Sequence, residues 1–295
     1  MNHKTYALHH FTTADWDNSE MPFDPEAYSR LKFGHDWTAR KFGESLADGF
    51  FETHAAELLS QPVVVIPSPY NYVENAATIM TRYFVRRLNH HLVSANGEHV
   101  DYSIIHRKVS YTSDYGFMSA EQRSGLLAND RFYLNEGFYH GKLLVFVDDI
   151  RITGSHEVRL RQILDGSHFL RDNKAFYVYY AAMEGDCRPE IEAALNFSSI
   201  GTLSEYLQLA AEPNHHVIVR PIKFLLSRDE GEFSAFLDGC DLHVLETIYY
   251  GCLGEGYYKI PDYQRSFLML KHKIESAGAR NDTVFRAIKN GVAHA

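Results

Sequence analysis

The sequence of 295 residues lacks several features that would assign it to a broad class at once. It has no run of about 18 apolar residues, so no transmembrane helix is predicted. Its first residues contain no apolar stretch of the length that a secretory signal needs. The 3 cysteines are widely spaced and odd in number, which argues against a disulfide framework. These absences predict a cytoplasmic protein.

An excess of positive charge is also missing. The 29 Lys and Arg residues are outnumbered by 38 Asp and Glu residues, which leaves a net charge of −9. We therefore expect neither nucleic acid nor a membrane surface as a partner. The 17 histidines include three adjacent pairs, but none has the spacing of a metal motif, so no metal site is predicted from protein motifs. The hydrophobic content of 45% predicts a large buried core.

The clearest pattern lies in residues 142–157, KLLVFVDDIRITGSHE. Its apolar run shows no alternation, which is typical of a strand buried on both faces in a parallel sheet. Asp148 and Asp149 close this strand, where carboxylates are costly unless cations or hydroxyl groups meet them. Residues 153–155, Thr-Gly-Ser, then offer free backbone N–H groups where a helix should begin, which favours an anion. Together these features indicate a phosphorylated sugar as the ligand.

At these residues the sequence resembles the type I phosphoribosyltransferases, in which an apolar strand, an acidic pair and a Thr-Gly loop bind phosphoribosyl pyrophosphate (PRPP). The resemblance implies that Asp148 and Asp149 are catalytic and contact the ribose hydroxyls. It implies Mg²⁺ as the cofactor, held largely by substrate oxygens with Asp148 and Asp149 nearby. It further implies a ribose-5-phosphate loop formed by Ile152, Thr153, Gly154, Ser155 and His156.

Two positions depart from this pattern. Ile152 stands where base-salvage members carry an aspartate that helps to deprotonate the acceptor, and an isoleucine cannot do so. His156 replaces the usual Thr or Ser; it would either donate to a phosphate oxygen or bond to the loop backbone. Glu157 would either orient His156 or stabilise the start of the following helix, and we expect the latter. The segment is also similar to a narrower group, the phosphoribosyltransferase-like proteins of bacterial tellurite-resistance-type stress operons, which implies a role in stress response.

Two other strand ends are candidates for the pyrophosphate side of the site. Residues 63–66 predict a short strand, followed by a proline-rich loop and a helix over residues 71–92. The resemblance implies that the loop, Ser68, Pro69 and Tyr70, cradles pyrophosphate. A strand over residues 102–109 ends in basic side chains, at the place where the family has a mobile loop that closes over the leaving group. The candidates there are Arg107 and Lys108, also as catalytic groups, and Arg123, unless they are ordinary surface side chains.

Strands that alternate with helices predict an α/β fold with a parallel sheet, which binds ligands at the carboxyl ends of its strands. We predict an N-terminal segment over residues 1–60 that forms part of a hood. A type I phosphoribosyltransferase core follows over residues 61–220, with residues 217–219 as a candidate fifth strand. Residues 221–295 should form a helical C-terminal lobe, broken by Gly251, Gly254 and Gly256.

The resemblance implies a glycosyltransferase of nucleotide metabolism, a phosphoribosyltransferase that moves ribose 5-phosphate between PRPP and an acceptor in either direction. The alternative is a non-catalytic regulator or scaffold that senses PRPP or a nucleotide. PRPP or a related nucleotide is the expected partner in both cases. The sequence leaves open the acceptor and whether the chain forms a homodimer.

Overall fold

The computed structural model describes residues 2–107, 132–133, 135–168, 170, 172–185 and 188–292. Over these residues the main element is a parallel sheet of 5 strands in the order β1-β7-β6-β2-β3. The strands of this sheet are β1 (Asn2–Phe11), β2 (Val63–Pro67), β3 (Asp101–Tyr102), β6 (Leu143–Arg151) and β7 (Lys174–Met183). Two short strands, β4 (His106–Arg107) and β5 (Phe132–Tyr133), form a separate antiparallel pair. The predicted α/β fold with a parallel sheet is confirmed.

Helices make up much of the remaining described chain. They are α1 (Thr13–Asp17), α2 (Pro25–Lys32), α3 (Asp36–Leu58), α4 (Ala76–Ser94), α5 (Glu136–Tyr139), α6 (Ser155–Gly166), α7 (Pro189–Asn196), α8 (Leu203–Ala210), α9 (Val219–Leu226), α10 (Glu230–Gly239), α11 (Leu242–Glu255) and α12 (Pro261–Val292), with a 3-10 turn at Tyr257–Lys259. Where the chain is described, none of them combines the length and the apolar character that a membrane span requires.

The central strands are buried on both faces, as their unbroken apolar sequences predict. Successive residues of a strand point to opposite sides, so Val63 and Val65 of β2 join one hydrophobic cluster while Val64 and Ile66 join another. Helices α2, α3 and α4 contribute to the first cluster and α6 to the second. Because both faces of the sheet are covered, we expect a ligand to bind at the carboxyl ends of the strands.

The N-terminal residues enter the sheet itself. Strand β1 pairs in parallel with β7, from Asn2 beside Lys174 to Phe11 beside Met183. Because strand pairing brings together segments that are distant in sequence, local patterns did not predict this partner. The helix predicted to start at residue 71 begins later, at Ala76, because the side chain of Asn75 caps it by accepting the N–H of Thr78 at 2.9 Å.

From Val219 onward the described chain is mostly helical, and we call this part, residues 219–292, the helical lobe. Its buried side chains share an aromatic-rich cluster with Phe33, Val73 and residues 200–210. The candidate strand at residues 217–219 is wrong, because Ile218 is the N-cap of α9 and Val219 is its first residue. Two of the three glycines expected to break the lobe also do not: Gly251 and Gly254 lie inside α11. Gly256 does end that helix, with a left-handed φ of +73°.

Candidate functional site

A cavity of about 240 Å³ lies where the carboxyl ends of β2 and β6 meet. These strands are parallel neighbours in the sheet, so the loops that follow them approach each other. The β2 loop, residues 68–75, and the β6 loop, residues 152–156, both line the cavity together with the acidic pair. The helical lobe also lines it, through Val219, Arg220, Lys223 and Glu255.

Asp149 is buried and engaged by two residues of α2. The residue is 4% exposed, and its side chain forms an ion pair with Lys32. The hydroxyl of Tyr28 donates to Oδ2 of Asp149 at 3.2 Å, and the N–H of Ile150 donates to Oδ1 at 3.0 Å. Asp148 is less buried, and its Oδ1 accepts the N–H of Asp149 at 2.9 Å. The two carboxylates therefore differ in their surroundings although they are adjacent in sequence.

The pKa values of the two carboxyl groups are shifted in opposite directions. Burial and the negative charge of Asp149 raise the pKa of Asp148 well above its ordinary range. Burial acts to raise the pKa of Asp149 as well, but the charge and the hydrogen bond of Lys32 outweigh it and lower that pKa. Burial, followed by the charge of Asp149, raises the pKa of Tyr28, so Tyr28 acts as a hydrogen-bond donor. The two adjacent carboxyl groups therefore differ in pKa, which is lowered for Asp149 and raised for Asp148.

The β6 loop turns the chain from β6 into α6 through Gly154. This residue has a φ of +69° and is the N-cap of α6. A Cβ at Gly154 would lie 3.0 Å from Nη2 of Arg151, so the guanidinium group packs closely against the turn. The hydroxyl groups of Thr153 and Ser155 are hydrogen-bonded at 2.9 Å. The first N–H groups of α6 lack partners within the helix, as at any helix start, and such groups bind anions readily.

Glu157 has a larger role than the expected stabilisation of the helix start. It is 4% exposed, and its carboxylate accepts the Nε–H of Arg151 at 3.0 Å and the hydroxyl of Tyr179 at 3.1 Å. Arg161, one turn further along α6, also pairs with it. The spacing of Glu157 and Arg161 could have indicated their pair from the sequence. The network fixes the guanidinium group of Arg151 beside Gly154.

The two positions that depart from the family pattern lie at the cavity. Ile152 is 4% exposed and belongs to the hydrophobic cluster on one face of the sheet, and it also borders the cavity. An isoleucine therefore fits this position through packing. His156 is partly buried and lines the cavity.

The candidate residues that sequence reasoning named are only partly brought together. Ser68, Pro69 and Tyr70 line the same cavity as the β6 loop. Arg107 lies in β4, outside the main sheet. Lys108 and Arg123 lie outside the described residues.

Sequence reasoning missed several residues that border the acidic pair or the cavity. Lys32 and Tyr28 are one helical turn apart, a spacing that places both on one face of α2. That spacing alone does not reveal that both side chains contact the carboxylate of Asp149, because Asp149 lies in another element. The other missed residues come from the helical lobe: Arg220, Lys223 and Glu255.

The part of the chain that the structure describes has no dedicated metal-binding cluster. Within that part, no group of three or more His, Cys, Asp or Glu side chains is arranged to hold a metal ion. Asp148 and Asp149 offer two adjacent carboxylates at the cavity, of which Asp149 is paired with Lys32. This donor set fits an ion that takes most of its oxygen ligands from a bound substrate.

Comparison with solved structures finds hypoxanthine phosphoribosyltransferases. The enzyme from Staphylococcus aureus is 9% identical, with 50% of this chain and 75% of that chain covered and a TM-score of 0.33. A point mutant of the Trypanosoma cruzi enzyme, complexed with the product IMP, is 14% identical, with coverages of 54% and 92% and a TM-score of 0.33. Another Trypanosoma cruzi structure is 15% identical, with coverages of 65% and 91% and a TM-score of 0.35. Similarities at such TM-scores carry no argument about function.

Comparison with protein families is decisive, whereas no curated protein matches the chain. The model of the family described as PRTase ComF-like matches residues 2–270, which is nearly the whole chain. The match includes β1, the acidic pair, the β6 loop and most of the helical lobe. The chain belongs to the PRTase ComF-like family, within the type I phosphoribosyltransferases.

Proposed function

We propose that this protein binds PRPP in the cavity and, with Mg²⁺, transfers ribose 5-phosphate to an acceptor or catalyses the reverse reaction. One observation carries the proposal: the acidic pair, the β6 loop and the β2 loop line a single cavity at the ends of adjacent parallel strands. Membership of a phosphoribosyltransferase family supports the same ligand. Fold alone does not establish catalysis, because similar folds host unrelated activities.

The ribose-5-phosphate half of the ligand would bind along β6 and α6. Asp148 and Asp149 both line the cavity and would bond the ribose hydroxyls, and Asp149 is also held by Lys32. The 5′-phosphate lies against the N–H groups at the start of α6, where the helix dipole favours an anion. The hydroxyl groups of the β6 loop and His156 are additional donors to this phosphate.

The pyrophosphate half would bind at the β2 loop, where Ser68, Pro69 and Tyr70 border the cavity. During transfer the bond between the anomeric carbon and pyrophosphate breaks, the ribose ring becomes oxocarbenium-like, and the acceptor forms the new bond. Bound Mg²⁺ would supply charge neutralisation for the leaving pyrophosphate. Groups that meet charge only as it develops accelerate such a step, and Arg107, Lys108 and Arg123 remain the candidates for this role.

The second candidate function is a non-catalytic regulator or scaffold that senses PRPP or a nucleotide. Ile152 favours it, because this position lies in the hydrophobic core and offers no base for an acceptor proton. The same cavity would serve both functions. They differ in whether pyrophosphate is released, so the measurement of turnover separates them.

The test combines turnover with binding on the full chain. Pyrophosphate release from PRPP is measured with Mg²⁺ and a panel of nucleobases and other nucleophiles, while calorimetry measures PRPP affinity. We expect release with at least one acceptor, and loss of binding in Asp148→Asn but not in Asp165→Asn, an exposed aspartate of α6. Tight binding without turnover across the panel would support the sensor instead. If PRPP does not bind at all, or if Asp148→Asn binds it normally, both functions are wrong.

We also propose a role in a bacterial stress response. This rests on the resemblance of residues 142–157 to proteins of tellurite-resistance-type operons. Sequencing of the flanking genes tests it directly, because neighbours unrelated to stress would contradict the proposal.

A further inference from the structure

Glu255 differs from the other cavity-lining carboxylates because it comes from the helical lobe. It is the last residue of α11 and is 7% exposed. Its Oε1 accepts the N–H of Tyr72 at 2.9 Å and that of Val73 at 2.7 Å, and its Oε2 accepts the side-chain N–H of Asn71 at 3.2 Å. Hydrogen bonds to a carboxylate are stronger than those between neutral groups. Glu255 therefore holds both the backbone and a side chain of the β2 loop.

The packing of α11 against this loop explains two glycines that the sequence suggested as helix breakers. A Cβ at Gly254 would lie 2.1 Å from the ring of Tyr72, and one at Gly251 would lie 3.1 Å from Cγ2 of Val73. Glycine is unfavourable inside a helix, so its presence at both positions indicates that close approach is needed there. This approach brings the carboxylate of Glu255 within reach of the loop.

The far end of the β2 loop is held as well. The side chain of Asn75 donates to the carbonyl oxygens of Ser68 at 3.2 Å and Pro69 at 3.4 Å. The N–H of Val219, the first residue of α9, donates to the carbonyl oxygen of Glu74 at 2.9 Å. The helical lobe thus contacts the loop through α9 and through α11. Residues 68–70, which border the cavity, directly precede the segment 71–74 that the lobe holds by hydrogen bonds.

We propose that Glu255 is the positioning residue for the pyrophosphate side of the cavity, so that recognition of a diphosphate-bearing ligand depends on the helical lobe. This inference rests on the proposed function and adds a residue to it. With Glu255 in place the β2 loop keeps one conformation. Without it the fraction of loops in the binding-competent conformation falls, and the apparent Kd rises by the same factor. The ribose-5-phosphate side lies on β6 and α6, away from these hydrogen bonds.

The experiment measures the two halves of the ligand separately on the full chain. Calorimetry determines the affinities for magnesium pyrophosphate and for ribose 5-phosphate. The proteins compared are the wild type, Glu255→Ala, Glu255→Gln and the control Glu246→Ala. Glu246 lies on the same helix as Glu255 but outside the cavity lining. We expect Glu255→Ala to weaken pyrophosphate binding about tenfold or more, with ribose 5-phosphate affinity unchanged within about twofold.

The remaining variants and a second measurement separate positioning from a general loss of structure. Glu255→Gln keeps an acceptor oxygen for the two backbone N–H groups, so its pyrophosphate affinity should fall between those of the wild type and Glu255→Ala. Amide hydrogen exchange at Tyr72 and Val73 should quicken in Glu255→Ala, since these donors lose their acceptor.

Three outcomes would overturn the inference. Equal losses for both ligands in Glu255→Ala would mean that the residue supports the whole structure and not the pyrophosphate side. Normal pyrophosphate affinity in Glu255→Ala would overturn the positioning role and leave the proposed function standing. Failure of the wild-type chain to bind pyrophosphate or PRPP would overturn the proposed function, and this inference with it.

Discussion

The ion pair between Lys32 and Asp149 can be tested by replacing Lys32 with methionine, which keeps most of the side-chain length but removes the charge. The two side chains are 12% and 5% exposed, so the pair is buried. Removing one partner of a buried pair typically costs about 3–5 kcal/mol, because the other charge stays buried without compensation. The hydroxyl of Tyr28 still donates to Asp149, so we expect a loss of about 3 kcal/mol, at the low end of that range.

A double-mutant cycle isolates the pair from other effects of the substitution. Urea unfolding at pH 7, followed by far-UV circular dichroism and tryptophan fluorescence, gives the free energies of unfolding if the two signals coincide. Lys32→Met/Asp149→Asn removes both charges and should regain most of the lost stability, with a coupling energy of about 2 kcal/mol or more. Lys41→Met, an exposed lysine of α3, is the control and should change little.

The pH dependence provides a further check. Lys32 lowers the pKa of Asp149, so the stabilisation from this carboxylate is present above the pKa of an unfolded aspartate, about 3.9. It is lost as the pH falls through the lower folded pKa. Without Lys32, burial should raise the pKa of Asp149, and the penalty of Lys32→Met should grow from about pH 4 to pH 7. A penalty below about 1 kcal/mol at pH 7, or additive single effects, would refute the buried-pair account.

Three further predictions concern the acidic pair and the β6 loop. Asp148→Asn should raise the urea midpoint at pH 8 and have a smaller effect near pH 4. The reason is that a carboxyl group whose folded pKa is raised loses its contribution to stability as the pH increases. A difference between variant and wild type that stays the same across this pH range would contradict the raised pKa. Gly154→Ala should lower the stability by roughly 1–2 kcal/mol, since the φ of +69° at this position is left-handed and the new Cβ would crowd Arg151. A thermal melt equal to that of the wild type would argue against this strain. Glu157→Leu should lower the free energy of unfolding in urea by about 3 kcal/mol, because Arg151 and Arg161 lose a buried partner, although both arginines are partly exposed. A loss under about 1 kcal/mol would mean that solvent replaces the carboxylate.

Several parts of the fold could be predicted because they depend on local patterns. The unbroken apolar run of residues 143–147 predicts a strand buried on both faces, and β6 has that environment. Asp24 followed by Pro25 is a combination typical of a helix start, and Asp24 does cap α2. The acidic pair and the Thr-Gly-Ser turn predict a ligand site at the end of β6, where the cavity lies.

The predictions that failed concern segments whose local pattern was ambiguous. Residues 217–219 are β-branched and apolar, as in a strand, but Ile218 uses its extended backbone to cap a helix. Gly251 and Gly254 weaken a helix by intrinsic propensity, yet α11 continues through them. The β2 loop packs against the bare backbone of both, and Ile222 of α9 also packs against Gly251. In both cases contacts between distant segments outweighed the local preference.

By itself, the sequence determined which segments are buried, where the acidic pair and its adjacent loop lie along the chain, and which ligand class they indicate. Only the tertiary structure decided that Lys32 pairs with Asp149, that burial and the charge of Asp149 raise the pKa of Asp148, and that Glu255 holds the β2 loop. Periodicity and residue type report whether a position is buried and what chemistry it offers. They do not report which distant side chain will be its partner, because that depends on how the helices pack on the sheet.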